Sequence, residues 1–592
     1  TLSVAFKVGT DPDQNTINVN NRVQSALSKL PQEVRTLGVT VNKRSSAIMG
    51  ICSIYSKSGQ YDSTYLANYA LLNVIDELKR TPGVGDASLF GNFNYSIRVW
   101  LNPDRMSELG LTSGDVTSAI TEQNSQFSAG SIGGSPTLPG DHSAFSYTIT
   151  TKGRLVTPEE FGRIILRSDA SGNTLRLSDV ARIELGTQVY GMVGTMNGLP
   201  AANIGIFLQP GANAVATAKA VRKTLARLEK TFPAGVAVSI PFDTTKFVSV
   251  AIDEVITTFL EALALVILVV YLFLQNVRAT IIPIVAVPVS IIGTFAGMMM
   301  LGFTINMMTL FGLILAIGIV VDDAIVVLEN TERIMRTTGM NSVDASIESM
   351  KEVTSPVVAI VLVLCAVFVP VAFIEGLSGM LYQQFAITIA ISVVISGFVA
   401  LTLTPALCAI VLKHIDVNHR PAAPFRKFNA GFDKLRDGYL HVARFFYGHT
   451  LLGVGIFAGV IASCAFIWNR MPSSLLPNED QGYVLSIQYL MPGSSVERTQ
   501  AVTEPLSGII RDTPGVSDVV SLAGLDISTL SMRSYAGVAF INLNDWSTRK
   551  TPELQSKAIA DRITGVGMMS FPDALVMGLN PPPISGLSIT GG

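Results

Sequence analysis

Six apolar runs, each long enough to cross about 30 Å of hydrocarbon as a helix, constrain this chain more than any other feature. They cover Val255–Leu274, Thr280–Leu301, Ile305–Leu328, Val357–Phe373, Ala386–Ala409 and Leu451–Trp468. Of the 592 residues, 48% are hydrophobic and only 15% are charged, too oily a balance for an ordinary soluble protein. One polar block precedes the first run and another follows the sixth, and an even number of crossings puts both on one side. The loops decide which side. Arg278 follows the first run, and Arg333, Arg336 and Lys351 follow the third. Lys413, Arg420, Arg426, Lys427, Lys434, Arg436 and Arg444 follow the fifth, whereas Gly302–Thr304 and Glu375–Gln384 carry neither Lys nor Arg. The basic loops are cytoplasmic by the positive-inside rule, so both polar blocks face the periplasm or outside.

A net charge of −2 offers no basic footprint for nucleic acid. Cys52, Cys365, Cys408 and Cys464 lie in strand-like or apolar stretches without paired spacing, and read as packing residues rather than a disulfide framework or zinc site. There is no Walker A loop, HExxH or GxSxG, so ATP-driven transport and the commoner hydrolase mechanisms lack support. The first residue, Thr1, stands inside a strand pattern with no initiator Met or signal segment before it. The chain is therefore expected to be cut at its start, and to stop at Gly592 within its second polar block.

The polar blocks share a pattern. Leu2–Asp13 alternates as a strand, breaks at Gly-Thr and enters a helical stretch at Asn15–Leu30; Val484–Ser495 breaks at Pro-Gly-Ser and enters a helix at Val496–Arg511. That second helix ends in TPGVSDVVSLAG, and an earlier one, Thr64–Lys79, ends in TPGVGDASLFG. Split βαβ units of this kind build a sheet with helices on one face, and two of them imply a duplicated protein. Thr121–Ser146, rich in Gly, Ser and Pro, reads as a flexible loop. Lys413–Thr450, basic with interleaved Phe and Tyr, reads as an amphipathic helix on the cytoplasmic membrane surface.

The third run contains LAIGIVVDDAIVVLEN, which sets Asp322 and Asp323 side by side in apolar surroundings. Glu329 follows seven residues on, so Asp322 lies about 10 Å inside the cytoplasmic end of a helix rising about 1.5 Å per residue. An Asp at the centre of a membrane helix costs upwards of about 2.5 kcal/mol, which is why intramembrane acids mark ion or proton paths. Adjacent carboxyls also oppose each other's ionisation and titrate as a coupled unit, the profile of a proton carrier. A pair neutralised by a basic residue for helix packing is the bland alternative. Glu261, in the first run, suits an interhelical hydrogen bond better than a water path. Met298, Met299 and Met300 point in three directions on a helix and read as packing, not as a soft-metal path.

Together these features resemble the hydrophobe and amphiphile efflux branch of the resistance-nodulation-division transporters. The most specific stretches are FGLILAIGIVVDDAIVVLENTERIM (Phe311–Met335) and the segment Phe368–Ala409, supported by YLFLQNVRATIIPIVAVPV, LPNEDQGYV, TPGVGDASLFG and IPFDTT. The resemblance implies an α+β polytopic membrane protein: a transmembrane helix bundle, a periplasmic porter domain of βαβ (ferredoxin-like) subdomains, and a docking domain. Residues 1–92 and 186–248 would be porter, 93–185 docking, 249–412 five spans, 413–449 the cytoplasmic amphipathic segment, 450–470 the sixth span, and 471–592 the porter subdomain of the second half. It implies a homotrimer with twelve spans per subunit in the bacterial inner membrane, exporting through a periplasmic adaptor and an outer-membrane channel. Asp322 and Asp323 match the family's proton-relay acids, whose Lys partner belongs to a later span outside this chain. The drug pocket carried over by position is Ile48, Ile51, Phe90, Met192, Phe242 and Phe540, with a switch loop near Gly524–Arg533. The Gly-rich stretch becomes an arm bridging subunits. The reading is then a secondary transporter and not an enzyme, a drug/proton antiporter with no cofactor or metal of its own. Two alternatives stand beside it: an intramembrane aspartyl protease, and a lipid or metal exporter of the same superfamily.

Overall fold

The repeated Thr-Pro-Gly-Val step at Thr81 and at Thr513 marks the same corner in two copies of one arrangement. In both, the Val N–H returns to the Thr carbonyl (Val84 to Thr81, 3.1 Å; Val516 to Thr513, 3.2 Å), closing a turn with Pro second and Gly third. The third position needs positive φ, and Gly83 and Gly515 supply it at 86° and 95°. A Cβ on Gly83 would lie 2.0 Å from Thr217 Oγ1, so the turn also requires a bare backbone there.

The computed structural model describes every residue except 1, 3, 5, 7–9, 46–47, 92–93, 135–139, 141–144, 169–171, 413–422, 472–478 and 582–592. It divides into two units, Thr1–Phe247 with Asn478–Gly592, and Val248–Pro477. In the first unit, one copy runs strand Ile48–Ser56, helices Ser63–Asn73 and Ile75–Lys79, strand Val84–Leu89, and, after an insertion, strand Leu199–Leu208, helix Ala214–Leu228 and strand Val236–Asp243. The other runs strand Tyr483–Tyr489, helix Val496–Arg511, strands Val516–Asp526 and Ser531–Leu543, helix Ser556–Ser570 and strand Leu575–Leu579. Both sheets are antiparallel in the spatial order fourth, first, third, second. The fold counterpart of the Val484 unit is thus Ile48–Leu89, not Leu2–Leu30 as the turn spacing suggested. The strand expected over Leu2–Asp13 lies partly outside the described residues, and its helix starts early, at Pro12, where Asp11 caps it by accepting from Asp13 N at 2.8 Å.

Each sheet hides one face under its helices. Cys52, Ile54, Ile204 and Ile206 pack on Leu66, Ala70, Leu78, Val221 and Leu225. Val484, Val519, Ile541 and Val576 pack on Leu506, Ile510, Ile559 and Ile563. Because strand side chains alternate, the opposite faces carry Ile51, Ala201 and Phe242 in one copy and Leu485, Ile487, Val520 and Phe540 in the other, and these gather into a single cluster. Strand Val193–Met196 joins the two sheets, pairing Met196 with Leu199 on one side and Val520 on the other. Its hairpin turns at Asn197-Gly198, φ 50° and 80°, the type I′ geometry that Asn-Gly favours. Asn197 then grips the second copy: its N–H and side-chain oxygen pair with Val519 O and N, both at 2.8 Å, as a strand residue would.

Within the insertion, strands Tyr95–Leu101 and Ala181–Thr187 pair over a smaller core of Met106, Val116, Phe161 and Leu177. The Gly-rich stretch falls partly outside the described residues; its described part closes as a short ladder, Ser131 opposite Thr148 and Ile132 opposite Tyr147.

The second unit carries helices long and apolar enough to span a membrane at all six expected places: Thr245–Leu274, Val277–Met300, Met307–Thr338, Ser342–Phe373, Tyr382–Val411 and Thr450–Trp468. Most run further than the apolar stretches alone, and Asn276, Asn306 and Asn341 cap the starts of the second, third and fourth. Asn306 and Thr309 form a capping box for the third, and Gly339, at φ 72°, stops it. In lipid, helices meet through small residues rather than hydrophobic driving force. Gly293 and Gly297, one GxxxG step, lie under Ile395 and Ile391, where an added Cβ would come within 2.7 and 2.6 Å. The basic segment's described part is helical over Ala423–Gly448, and Phe428 and Phe432 set their rings edge-on to Phe273 of the first span.

A buried ion pair staples the second copy. Arg549, with a side chain 1% exposed, grips Asp480 through two nitrogens at 2.8 and 3.1 Å and also donates to Asn544 O and Leu554 O. Burial disfavours the Asp480 charge, but the Arg549 bonds and the N–H groups of Ser556 and Gly482 more than offset it, so the carboxyl titrates below its ordinary range. Its stabilisation is complete above the unfolded carboxylate range and fades as pH falls through the lowered folded value. Arg549→Met should lower unfolding stability at neutral pH by about 3 kcal/mol, and urea titrations should show the gap to wild type shrinking in acid.

Candidate functional site

All six residues carried over as a drug pocket fall in the cluster between the two sheets of the first unit. Ile51, Phe90, Met192, Phe242 and Phe540 are buried within it and Ile48 packs on its edge. Strand register explains the grouping. Ile51 stands opposite Phe242, and Phe540 lies between Leu485 and Val520 on its two neighbouring strands. The Phe242 ring then bridges the copies, 5.2 Å from Phe540 and 4.7 Å, edge-on, from Tyr483. Such aromatic contacts add to what area burial supplies. Phe90 can lie against the sheet because Gly205 is bare; a Cβ there would be 2.8 Å from Phe90 Cζ.

An open cleft is the natural expectation for a pocket, and here the cluster is packed shut. Two apolar sheet faces close on each other wherever nothing else covers them, and none of the five buried residues is more than 8% exposed.

The hairpin between strands Val516–Asp526 and Ser531–Leu543 holds the expected switch segment. Asp526, 2% exposed, accepts from Ser528 N (3.0 Å), Ser528 Oγ (2.6 Å), Thr529 Oγ1 (3.0 Å) and Tyr489 OH (2.9 Å), with Arg533 Nε at 3.4 Å. Burial raises this carboxyl, but the hydroxyl and N–H donors outweigh it and hold it below the ordinary range. Gly524 anchors the hairpin to the first copy: φ is 92°, and a Cβ would sit 2.1 Å from Gly191 O, next to Met192.

In the second unit, successive helix positions separate the two acids. Asp323 is buried and accepts from Ser396 Oγ at 2.8 Å, while Asp322 is exposed on the helix surface. The Ser396 hydroxyl has the Val320 carbonyl, 3.2 Å away, as its other acceptor. Among the described residues neither acid forms an ion pair, so these helices do not supply the neutralising base of the packing alternative. Glu261 is exposed. Among the described residues it makes no interhelical hydrogen bond, where one was expected. Sequence reasoning missed Tyr483, Ser396 and the Gly293–Gly297 step; the last was written plainly as GTFAG in the second span.

The whole chain, residues 1–592, matches the model of the AcrB/AcrD/AcrF family. The chain belongs to that family, the resistance-nodulation-division multidrug efflux transporters. It is 40% identical over 596 residues to the multidrug export protein AcrF of Escherichia coli K12, covering 100% of this chain and 57% of AcrF. It is likewise 40% identical over 594 residues to the multidrug resistance protein MdtF of Escherichia coli O157:H7, again 57% of that protein. The toluene efflux pump membrane transporter TtgB of Pseudomonas putida DOT-T1E is 39% identical over 589 residues, 99% of this chain and 55% of TtgB. The chain therefore spans somewhat more than half the length of these curated relatives. With its six apolar helices, it is a membrane protein.

Gly524→Ala should destabilise the first unit by at least ~1 kcal/mol, because an L side chain is strained at this φ and has no room. Thermal unfolding is the measurement, with Gly59→Ala, where nothing lies within 4 Å, as the control that shares the φ cost alone.

Proposed function

We propose that the complete protein is a proton-driven efflux pump that exchanges H⁺ for amphiphilic and hydrophobic compounds drawn from the periplasm and inner membrane. Asp323 carries the reading: a carboxyl inside an apolar span, desolvated, held by one hydroxyl and joined to no cation of the described helices. Such a group can bind and release a proton with only a serine hydroxyl to rearrange. Asp322, on the exposed side of the same helix, is placed to meet a base from a later span. The pair would load from the periplasm and unload to the cytoplasm as the machine turns over.

The two βαββαβ copies are the ferredoxin-like porter subdomains in this reading, the insertion at residues 93–185 is the docking subdomain, and both lie in the periplasm. The apolar cluster between the copies is the drug pocket in a closed state: Ile48, Ile51, Phe90, Met192, Phe242 and Phe540 hold ligands by area rather than by directional bonds, which suits broad recognition. The relatives' names, multidrug export for AcrF and toluene efflux for TtgB, favour the same substrate class. The working assembly is a homotrimer joined to a periplasmic adaptor and an outer-membrane channel.

An intramembrane protease needs acids facing each other from two helices, whereas Asp322 and Asp323 share one. The test expresses the complete gene in pump-deficient cells beside Asp322→Asn and Asp323→Asn forms. Each substitution is expected to return drug susceptibility to the pump-free level, and an uncoupler should stop wild-type export within minutes. Export that persists without a proton gradient overturns the reading.

A further inference from the structure

The seam face of the first sheet, apolar at Ile51, Ala201 and Phe242, also holds a fully buried polar cross-strand pair. Ser53 and Asn203 stand directly opposite each other, on the same face as Ile51 and Ala201 and not on the helix-covered face of Cys52 and Ile204. Both are buried, at 0% and 1% exposure. Ser53 Oγ donates to Asn203 Oδ1 at 2.6 Å, which leaves the carboxamide nitrogen, Nδ2, buried with no partner. Turning the carboxamide over would only exchange the orphan, because it would leave the carbonyl oxygen bare and give the Ser53 proton no acceptor in the pair.

A buried donor left unmade costs about 1–3 kcal/mol, so its retention asks for a use. Its surroundings indicate one. Nδ2 lies over Gly194 on the strand that joins the sheets: a Cβ on Gly194 would be 2.8 Å from Nδ2 and 3.0 Å from Leu522 Cδ2. Glycine there leaves room for the amide beside an apolar wall from the other copy. The unpaired Nδ2 is an uncharged donor, and the neighbours given for its position are Gly194 and Leu522. An anion would be desolvated there without compensation; a neutral oxygen would not.

We propose that Asn203 is the polar reader of this pocket: when the seam opens to admit a ligand, Nδ2 donates to a neutral acceptor, a carbonyl, sulfonyl or ether oxygen, on an otherwise apolar, flat molecule. Ser53 positions the carboxamide by holding its oxygen. This rests on the pump reading above and adds to it a substrate preference that area burial cannot supply, since an apolar pocket alone hardly separates a ligand from its analogue lacking one oxygen.

The experiment follows export of 9-fluorenone and fluorene, flat molecules that differ by one carbonyl, from pump-deficient cells expressing the complete protein. Wild type is expected to export the ketone about tenfold more efficiently, the equivalent of about 1.4 kcal/mol. Asn203→Leu should abolish that preference while fluorene export continues, at equal protein level in the membrane. Asn203→Ser, polar but too short to reach over Gly194, covers the case in which the leucine variant is not inserted, and should lose the preference as well. A preference that survives in either variant overturns the proposal, as does a wild type that exports both compounds equally. Wild-type cells that export neither compound overturn the pump reading itself, and the subsite with it.

Discussion

A four-stranded sheet with helices on one side has a second face, and water will not tolerate that face if it is built from Ile, Val and Phe. The first unit answers this constraint with its own duplicate. Ile51 and Phe242 of one copy close on Tyr483 and Phe540 of the other. The rest of the unit follows from that mutual cover. The hairpin at Asn197-Gly198 brings strand Val193–Met196 across to pair with the second sheet, and Gly524 lets the second copy's hairpin press on Gly191. The surface that holds the unit together is also the surface at which a hydrophobic guest could compete.

The helical unit meets the same problem in a different solvent. Lipid removes the hydrophobic drive between helices, so contact depends on fit. Gly293 and Gly297 let the second span lie against Ile391 and Ile395, and Asn306 ties the start of the third span to Gln384 at 2.5 Å. On this close-fitting frame Asp323 is buried, and among the described residues the side chain that hydrogen-bonds it is Ser396.

Much of this was legible in the residues. Hydropathy placed all six long helices because a bilayer demands twenty or so apolar residues in a row, a signal that little else imitates. The fourth helix begins well before its apolar run because Asn341 caps it, and a cap lies in polar sequence that a search for oily runs discards. The Thr-Pro-Gly-Val turns are visible, yet Leu2–Leu30 and Ile48–Leu89 present similar strand and helix signals, and only strand order shows which of them matches the second copy. Asp322 and Asp323 stood out because acids in a span are rare. Ser53 and Asn203 did not, since a lone polar residue in a strand reads as its solvent face, and the burial of that face on a second sheet is a fact of three dimensions.

The bridging strand also sets how the seam can move. Asn197 docks on Val519 through two hydrogen bonds that mimic a ladder, at the very tip of a rigid two-residue turn, while the aromatic contacts lie further in. Any parting of the sheets that keeps this clasp shut is a rotation about its line, as a book opens at the spine. The mouth of the gap would then widen with distance from residue 197, and side chains far from the spine would be wetted before those beside it.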